Sequence, residues 1–264
     1  MTNPRKYKLI ILVIGARGGL WDKLREVWQK YSHIFPEVRT HFVYGENSRE
    51  DFLLGDLMYD DCKEQYPPTI HKTLRAFRTI NNYDYDFVLR TNLSSFWDIP
   101  RLLKNLEELP TEKCYAGDGP LHHVSPNTEY IACPYVSGTD TILSKDVVEK
   151  GINYLDSNEE FNNKLLSYNG WTLPDDKAMG MLFLNELHTP IVSLSHRKVH
   201  INEMHEANLS YKQMEEQIVD LIKTSKSLNK DNYRVKNSHS GEPETREDLD
   251  PFIMNLLYKH YYVN

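Results

Sequence analysis

The sequence predicts an α/β fold in which a Rossmann-like mixed sheet is flanked by helices. Residues 9–14 are a continuous run of large aliphatic side chains, typical of a strand that is buried on both faces. Short apolar runs alternate along the chain with segments whose apolar residues recur at helical spacing. No internal repeat or long linker divides the 264 residues, so we expect a single domain over residues 1–264.

The predicted elements follow each other in a simple order. Strands are expected at residues 9–14, 39–44, 87–89, 113–116, 130–138, 191–194 and 233–236. Helices are expected at residues 20–31, 70–80, 102–109, 147–155, 158–169, 175–187, 214–222 and 251–262. Asp98 and Ser144 are expected to cap the third and fourth helices, and residues 237–250 are predicted to form a mobile loop.

Composition narrows the class of protein. Hydrophobic residues make up 40% of the chain and charged residues 26%, as in ordinary globular proteins. The net charge of -7 argues against general nucleic-acid binding. The 3 cysteines are too few and too scattered for a disulfide framework or a zinc site, so we expect a reducing compartment.

The amino-terminal apolar run bears on localisation. It is far shorter than a membrane-spanning helix and lacks a small-residue cleavage site. We therefore interpret it as the first core strand. The expectation is a soluble, cytoplasmic protein with no membrane span and no nucleic-acid partner.

Two predicted strand ends carry residues suited to binding a ligand. The first strand ends in GARGG at residues 15–19, where glycines let a backbone approach a nucleotide closely, although the spacing is not GxGxxG. The strand at residues 87–89 ends in small polar residues, including Thr91, Asn92 and Ser94, and leads into a helix. Open α/β sheets bind their ligands at such strand ends.

Two groups of carboxylates are candidates for chemistry, and each has an ordinary alternative. The first precedes a double proline and consists of Asp56, Asp60, Asp61 and Glu64. Such a cluster is more often a solvated surface than a site. Asp175 and Asp176 follow Pro174 at the start of a predicted helix, where acidic residues favour the helix terminus.

Four blocks in the right order resemble the β-1,3-galactosyltransferase and fringe group, glycosyltransferase family 31. GDLMYDDCKEQYPPTIHKT at residues 55–73 resembles the family's GDI…D…D-Y…L-K-T stretch, and FVLRT at residues 87–91 resembles its strand leading into an Asp-x-Asp triplet. YVSGT at residues 135–139, with ILS at residues 142–144, resembles its Y-x-S-G-x-G-Y-V-L-S block. LPDD at residues 173–176, with Gly180, resembles the fringe-type PDD-x-x-x-G block.

The resemblance implies a GT-A fold, with a nucleotide-sugar-binding half at about residues 1–115 and an acceptor and catalytic half at about residues 116–264. It also implies an inverting transfer of a sugar from a nucleotide donor, UDP in most of the family, to a hydroxyl of a glycan or glycoprotein acceptor. Such a transfer needs a carboxylate that accepts the proton of the attacking hydroxyl. By the resemblance this base is Asp176, with Asp175 as the fallback; the alternative is that both only cap the helix.

The chain departs from the family at the metal motif. Asn92 and Ser94 stand in place of the two carboxylates and are poor ligands for Mn²⁺ or Mg²⁺. We therefore expect no essential metal, with Mn²⁺ or Mg²⁺ left open, and we expect basic side chains to neutralise the leaving diphosphate. The candidates are His200, in the place of the family's late His, with Arg197, Lys198, Arg234 and Lys236.

The other binding residues are assigned by position or by the resemblance. Lys72 matches the family's Lys and is expected to reach the donor or its phosphate, unless it is an ordinary solvated lysine. The donor-binding prediction is Ala16, Arg17, Lys72, Arg90, Thr91, Asn92, Ser94, His200, Arg234 and Lys236. The acceptor-binding prediction is Tyr135, Ser137, Gly138 and Trp171.

Three functions stay open on these grounds. The first is an inverting, metal-independent glycosyltransferase of glycan biosynthesis, soluble like one expected in a large DNA virus or a bacterium. The second is a degenerate relative that binds a nucleotide sugar or a glycan without chemistry, which the lost Asp-x-Asp favours. The retained Asp175 and Asp176 and the block that contains Lys72 disfavour it. The third is a carboxylate-metal phosphohydrolase or nucleotidyltransferase that uses Asp56, Asp60 and Asp61.

Overall fold

The computed structural model describes residues 6–46, 55–64, 69–122, 133–166, 174–202, 204, 209–237 and 246–263, and the chain is mixed α/β. The strands are β1 (Tyr7–Ile14), β2 (Val38–Tyr44), β3 (Leu57–Met58), β4 (Tyr85–Asn92), β5 (Ser95–Trp97), β6 (Tyr115–Gly117), β7 (Thr141–Ser144), β8 (Ile191–Ser193), β9 (Lys198–Ile201) and β10 (Asn232–Val235). The α-helices are α1 (Leu20–Gln29), α2 (Thr69–Ile80), α3 (Ile99–Leu106), α4 (Lys145–Ser157), α5 (Glu159–Leu166), α6 (Asp175–Gly180), α7 (Tyr211–Ser227) and α8 (Arg246–Tyr258). Helix α6 continues as a π-helical segment, Met181–Glu186, and α8 as another, Lys259–Val263.

The strongly patterned elements are confirmed, whereas one expected strand is absent and several short strands were not predicted. The strand expected at residues 130–138 is absent from its described part, residues 133–138, where only Tyr135 forms an isolated bridge, with Leu121. Strands β3, β5, β7 and β9, which have two to four residues each, were not predicted, because so short a segment need not show an alternating pattern. Asp98 caps α3 as expected, because its side chain accepts from the backbone N–H of Arg101.

The chain folds into two compact units. The first comprises Met1–Ala16, Pro36–Thr91 and Leu109–Ser195, and the second comprises Arg17–Phe35, Asn92–Glu108 and His196–Asn264. The donor-binding and acceptor-binding halves expected from the sequence are defined by function, whereas these units are defined by packing. The two halves therefore stay a prediction.

A mixed seven-stranded sheet forms the centre of the first unit, with the order β3-β2-β1-β4-β7-β6-β8. Strands β1, β2 and β3 are parallel, with Ile11 of β1 opposite Thr40 of β2, whereas β7 is antiparallel to both β4 and β6. The N–H of Tyr7 donates to the carbonyl of Asp84 (2.8 Å), so β1 and β4 begin at the same edge of the sheet. Their carboxyl ends therefore lie together at the opposite edge, where sheets of this kind bind ligands.

Helices pack against the sheet of the first unit and bury its apolar side chains. Residues Leu9 to Val13 of β1 are fully buried, as the continuous aliphatic run predicted. Helix α2 buries Ile70, Leu74 and Phe77, whose helical spacing makes one apolar stripe. Helices α2 and α4 contact each other and the sheet, so the core lies between the sheet and these helices.

The second unit combines helices with a three-stranded sheet of order β5-β10-β9. Strand β10 is antiparallel to β5 and parallel to β9. The rings of Tyr31 and Tyr262 stack with centroids 4.8 Å apart, and the ring of Phe96 lies 4.8 Å from that of Tyr31. The terminal helical segment therefore packs within this unit, in line with its apolar pattern. None of the described helices is long and apolar enough to cross a membrane.

Candidate functional site

The predicted site residues lie in two groups, one in each unit. Ala16, Lys72, Arg90, Thr91, Tyr135, Ser137, Gly138, Asp175 and Asp176 belong to the first unit. Arg17, Asn92, Ser94, His200, Arg234 and Lys236 belong to the second. Trp171 lies outside the described residues, so its predicted acceptor role stays a prediction.

Lys72 is fully buried and holds the carboxyl end of β1 in place. Its ammonium donates to the carbonyl of Gly15 (2.7 Å), the carbonyl of Glu64 (3.1 Å) and Oε2 of Glu64 (3.1 Å). An ammonium has three protons, and these bonds use all of them. Lys72 is therefore not the solvated lysine of the alternative, and these bonds give it a structural role, whereas its predicted contact with the donor stays a prediction. Burial lowers its pKa, and the charge of Glu64 opposes this shift.

Arg90 and Asp175 form a buried ion pair between the end of β4 and the first turn of α6. Arg90 is 4% exposed and Asp175 6% exposed, and the hydroxyl of Thr73 lies 3.5 Å from Oδ2 of Asp175. A Cβ atom at Gly138 would lie 2.7 Å from Nη1 of Arg90, so glycine there lets the guanidinium approach the backbone. This geometry favours a positioning role for Arg90, which holds the carboxylate of Asp175, rather than the predicted direct contact between Arg90 and the donor.

Asp176 has a different environment from its neighbour. It is half-buried, and its carboxylate accepts from the backbone N–H of Lys177 (2.9 Å) and from that of Gly138. Burial, followed by the negative charge of Asp175, raises the pKa of Asp176 above the usual value for aspartate, against the opposing influence of Arg90. A partly accessible carboxylate with a raised pKa is suited to accepting a proton.

The loop before β7 brings the predicted acceptor residues to helix α6. A Cβ atom at Gly180 of α6 would lie 2.7 Å from the Cβ atom of Tyr135, which shows how closely loop and helix pack. Ser137 and Thr139 share a hydrogen bond between their hydroxyls (2.9 Å), and the hydroxyl of Thr91 donates to the carbonyl of Thr139 (2.7 Å). We call Arg90, Gly138, Asp175 and Asp176 the carboxylate cluster; Tyr135, Ser137 and Thr91 border it.

The glycine-rich turn after β1 is less informative. Ala16 is half-buried next to Gly15, and Arg17 lies in the second unit, where its Nε is 3.4 Å from Oδ1 of Asp22. The N–H of Gly18 donates to the same carboxylate (3.0 Å). Their nucleotide-binding roles stay predictions.

In the second unit, the two neutral residues at the lost metal motif each accept from an arginine. Oδ1 of Asn92 accepts from Nη1 of Arg234 (2.8 Å), and Oγ of Ser94 accepts from Nη2 of Arg246 (3.1 Å). Arg234 was a predicted donor-binding residue, whereas Arg246 was not. Lys236 follows Arg234 at the end of β10, and we call Arg234, Lys236 and Arg246 the cationic cluster.

The remaining basic candidates differ in their exposure to solvent. His200 is exposed and lies opposite Arg234 in the parallel pairing of β9 with β10, so both side chains leave the same face of the sheet. Arg197 is buried and bonds to Oε2 of Glu108 (2.9 Å). Lys198 is buried as well, at 8% exposure. Arg197 and Lys198 are therefore part of the packing of this unit, and His200 is the candidate that shares a face of the sheet with Arg234.

The residues at positions 92 and 94 do not fit the divalent metal that the resemblance implies. Both are neutral, and each of their oxygens already accepts from a guanidinium. A metal ion bound there would sit beside two positive charges without a carboxylate from either residue. Across the part of the chain that the structure describes, no group of three or more His, Cys, Asp or Glu residues is arranged to hold a metal ion.

The acidic residues that precede the double proline have different environments in the structure. Asp60 and Asp61 are exposed, and Oδ2 of Asp61 lies 3.4 Å from Nη2 of Arg75, whereas Asp56 is 9% exposed. Glu64 bonds to Lys72 and to the N–H of Gly45. The arrangement favours surface and packing roles for these acids over the carboxylate-metal site considered from the sequence.

Arg246 is the residue that sequence reasoning missed in this region. It lies in the stretch that we predicted as a mobile loop, and its partner Ser94 is 152 positions away. Its only local signal is Asp250, four residues later, with which it forms an ion pair along α8 (2.8 Å). Such a pair predicts a helix, not a site.

No protein-family model matches this sequence, and no curated protein matches it. The similarity to glycosyltransferase family 31 therefore rests on the four sequence blocks.

Proposed function

We propose that the chain is an inverting glycosyltransferase of GT-A type that moves a sugar from a nucleotide donor, UDP in the first instance, to a hydroxyl of a glycan acceptor. Asp176 is the general base. The acceptor oxygen attacks the anomeric carbon, its proton passes to Asp176, and the bond from that carbon to the diphosphate breaks. The nucleoside diphosphate leaves, and the anomeric configuration is inverted.

One observation carries the proposal. Of two adjacent acids at the start of α6, Asp175 is buried against Arg90, whereas Asp176 is half-buried, has a raised pKa and is held by the N–H groups of Lys177 and Gly138. The carboxylate of Asp175 is buried and bonded to Arg90, so it is not accessible to an acceptor hydroxyl, whereas the carboxylate of Asp176 is partly exposed. This contrast supports Asp176 over the fallback Asp175. The different environments of the two acids also argue against the alternative that both only cap the helix, because capping does not require the two acids to differ.

The GT-A assignment draws support from the coarse architecture. The sheet is mixed and mostly flanked by helices, and the carboxyl ends of β1 and β4 lie at one edge. The carboxylate cluster lies at the end of β4, in the loop before β7 and in the first turn of α6, where an α/β enzyme of this type would bind its substrates. The finer identity of the fold is part of the proposal.

A second candidate function is binding of a nucleotide sugar without chemistry. The neutral Asn92 and Ser94 favour it, since a transferase that lost its metal ligands by decay would keep the fold and lose turnover. The different environments of Asp175 and Asp176 favour the enzyme.

The deciding experiment measures donor binding and sugar transfer separately. Wild type, Asp176→Asn and the matched surface variant Asp220→Asn are assayed with a panel of UDP- and GDP-sugars for sugar transfer and sugar release, and by calorimetry for binding. We expect Asp176→Asn to lower turnover by about 10²–10⁴-fold with little change in donor affinity, and Asp220→Asn to change neither. Donor binding by a wild type that shows no turnover would establish the binding protein instead.

A further inference from the structure

The loop before β7 is bonded through its backbone to the segment that follows β6. The N–H of Leu121 donates to the carbonyl of Tyr135 (2.8 Å), and the N–H of Tyr135 donates to the carbonyl of Leu121 (3.1 Å). Two residues later, the N–H of Ser137 donates to the carbonyl of Asp118 (2.9 Å). Backbone hydrogen bonds therefore hold the chain on both sides of Val136.

Val136 itself packs against two glycines of that segment. Its side chain is fully buried, and a Cβ atom at Gly117 would lie 2.4 Å from its Cγ1. A Cβ atom at Gly119 would lie 2.8 Å from the carbonyl oxygen of Tyr135 and 3.3 Å from Cγ2 of Val136. Side chains at these two positions would overlap the loop, so the glycines are what allow it to pack this closely.

A buried tyrosine hydroxyl completes the hydrogen bonding of Val136. Tyr115 of β6 is fully buried, and its hydroxyl accepts from the N–H of Val136 (3.1 Å). The backbone of Tyr115 pairs with β7 on one side and with β8 on the other. Its ring centroid lies 5.6 Å from that of Phe183, in the π-helical continuation of α6. The sheet and the helix therefore fix the position of this hydroxyl oxygen.

The loop held in this way leads directly to the proposed base. Gly138, two residues after Val136, donates its N–H to the carboxylate of Asp176. The N–H of Lys177 donates to Oδ1 of the same carboxylate (2.9 Å). The donor at Lys177 belongs to α6 itself, whereas the donor at Gly138 belongs to the loop. The position of the loop therefore decides whether Asp176 keeps both hydrogen bonds.

Tyr115 influences this carboxylate through position, because its phenol carries no charge. Burial raises the pKa of the Tyr115 hydroxyl above its ordinary value, so the phenol is neutral at physiological pH. Burial and then the charge of Asp175 raise the pKa of Asp176, and the hydrogen bond from Gly138 opposes them because it favours the ionised form. Loss of that hydrogen bond would therefore raise the pKa of Asp176 further.

We propose that Tyr115 is a positioning residue for Asp176: its hydroxyl fixes Val136 and thereby holds the N–H of Gly138 on the carboxylate of the general base. Tyr115 is fully buried and does not touch a substrate, so we expect it to affect turnover through the placement of the base. This role deepens the proposed transferase function and rests on it for the effect on turnover, whereas the placement of the carboxylate does not depend on that function.

Wild type alone tests the contact between Gly138 and Asp176. Isotope-labelled protein is titrated from about pH 4 to about pH 8 and followed by NMR, because an amide proton bonded to a carboxylate changes its chemical shift when that carboxylate ionises. We expect the amides of Gly138 and Lys177 to follow the same titration, and Asp176→Asn to abolish it. A Gly138 amide with the same pH dependence in wild type and in Asp176→Asn would overturn the proposal.

The variant that tests the hydroxyl is Tyr115→Phe, which keeps the ring in the core. Its matched control is Tyr154→Phe, which removes a hydroxyl that bonds to Glu186 elsewhere in the first unit. Thermal unfolding first shows that both variants fold; if Tyr115→Phe does not fold, the wild-type titration decides. The pKa of Asp176 is read from the amide of Lys177, whose hydrogen bond lies within α6.

We expect Tyr115→Phe to raise the pKa of Asp176 by about half a unit or more, because the N–H of Gly138 is no longer held on the carboxylate. The kcat for sugar transfer should fall by about tenfold or more with little change in KM, and the acid limb of its pH profile should move to higher pH. Tyr154→Phe should change none of these quantities. A pKa of Asp176 that does not rise in folded Tyr115→Phe would overturn the proposal.

Sugar transfer by the same proteins separates the positioning role from the proposed function. If Tyr115→Phe raises the pKa of Asp176 while wild type transfers no sugar from any nucleotide sugar, the positioning role stands and the transferase proposal fails. If Asp176→Asn abolishes transfer while Tyr115→Phe changes neither the pKa of Asp176 nor the kcat, the transferase stands and the positioning role fails.

Discussion

Arg90 and Asp175 form a buried ion pair that fixes the first turn of α6 to the end of β4. The pair gives two adjacent aspartates different properties, because Asp175 faces a guanidinium and Asp176 does not share that contact. A buried pair of this kind positions its neighbours at a cost in desolvation. Its presence beside Gly138 and Asp176 is what makes the carboxylate cluster a candidate site.

Breaking this pair on one side is expected to be strongly destabilising. Arg90→Met or Asp175→Leu leaves a buried charge without its partner, which typically costs about 3–5 kcal/mol of unfolding free energy. The double variant removes both charges and should recover most of that loss, so the two single effects should not add. Urea unfolding measures all three.

The control for that cycle is Lys6→Met, which breaks an exposed ion pair with Asp86 and should leave the unfolding free energy nearly unchanged. Equal and additive losses for Arg90→Met and Asp175→Leu would show that the two residues do not act as a pair.

Lys72→Met is expected to lower stability without acting on a ligand directly. The variant removes three hydrogen bonds from the buried ammonium and leaves the carboxylate of Glu64 without its cation. The loss should be about 3 kcal/mol. Lys150→Met, which breaks an exposed pair with Asp146, is the matched control. A Lys72→Met protein as stable as wild type, with weakened UDP-sugar binding, would return Lys72 to the donor-binding role predicted from the sequence.

The raised pKa of Asp176 predicts a pH dependence of stability. In the native state Asp176 holds its proton to a higher pH than in the unfolded state, where the value is about 3.9. Between the two pKa values the native state binds more protons, so the contribution of this group to the unfolding free energy falls as the pH rises. The asparagine of Asp176→Asn does not titrate. The unfolding free energy of this variant relative to wild type should therefore rise with pH across this window and stay constant above it.

Urea unfolding of both proteins from pH 4 to pH 8 measures that difference. A stability difference that does not vary with pH would mean that the pKa of Asp176 is not raised. If Asp176 is the general base, turnover should fall as the pH drops through the same raised pKa, because the protonated acid cannot accept the acceptor's proton.

The terminal helical segment makes a specific polar contact in the second unit. The hydroxyl of Tyr262 donates to the carbonyl of Trp97 (2.7 Å) and accepts from the N–H of Ile99 (2.9 Å). Tyr262→Phe should therefore cost about 1–3 kcal/mol, since both backbone groups lose a partner. Tyr258→Phe is the control, because the hydroxyl of Tyr258 has no hydrogen-bond partner among the described residues. Thermal unfolding compares the two, and equal effects would contradict the assigned contact.

Sequence patterns predicted the elements whose local signal is strong. The aliphatic run of β1, the apolar stripe of α2 and the cap at Asp98 are each visible within a few residues, because burial on a strand or helix imposes a short period on the sequence. Strand β9, by contrast, is Lys-Val-His-Ile and exists because β10, more than 30 residues later, pairs with it. No local pattern carries that information.

The same division holds for the candidate site. Asp175 and Asp176 are chemically identical neighbours, and the sequence by itself determined only that both begin a helix and match a family block. Their difference depends on Arg90, which lies 85 positions away and reaches one of them. The sequence also determined that Asn92 and Ser94 replace two carboxylates. Tertiary structure alone decided that Arg234 and Arg246 point at them, because hydrogen bonds between residues 142 and 152 positions apart form only when distant strands and helices pack together.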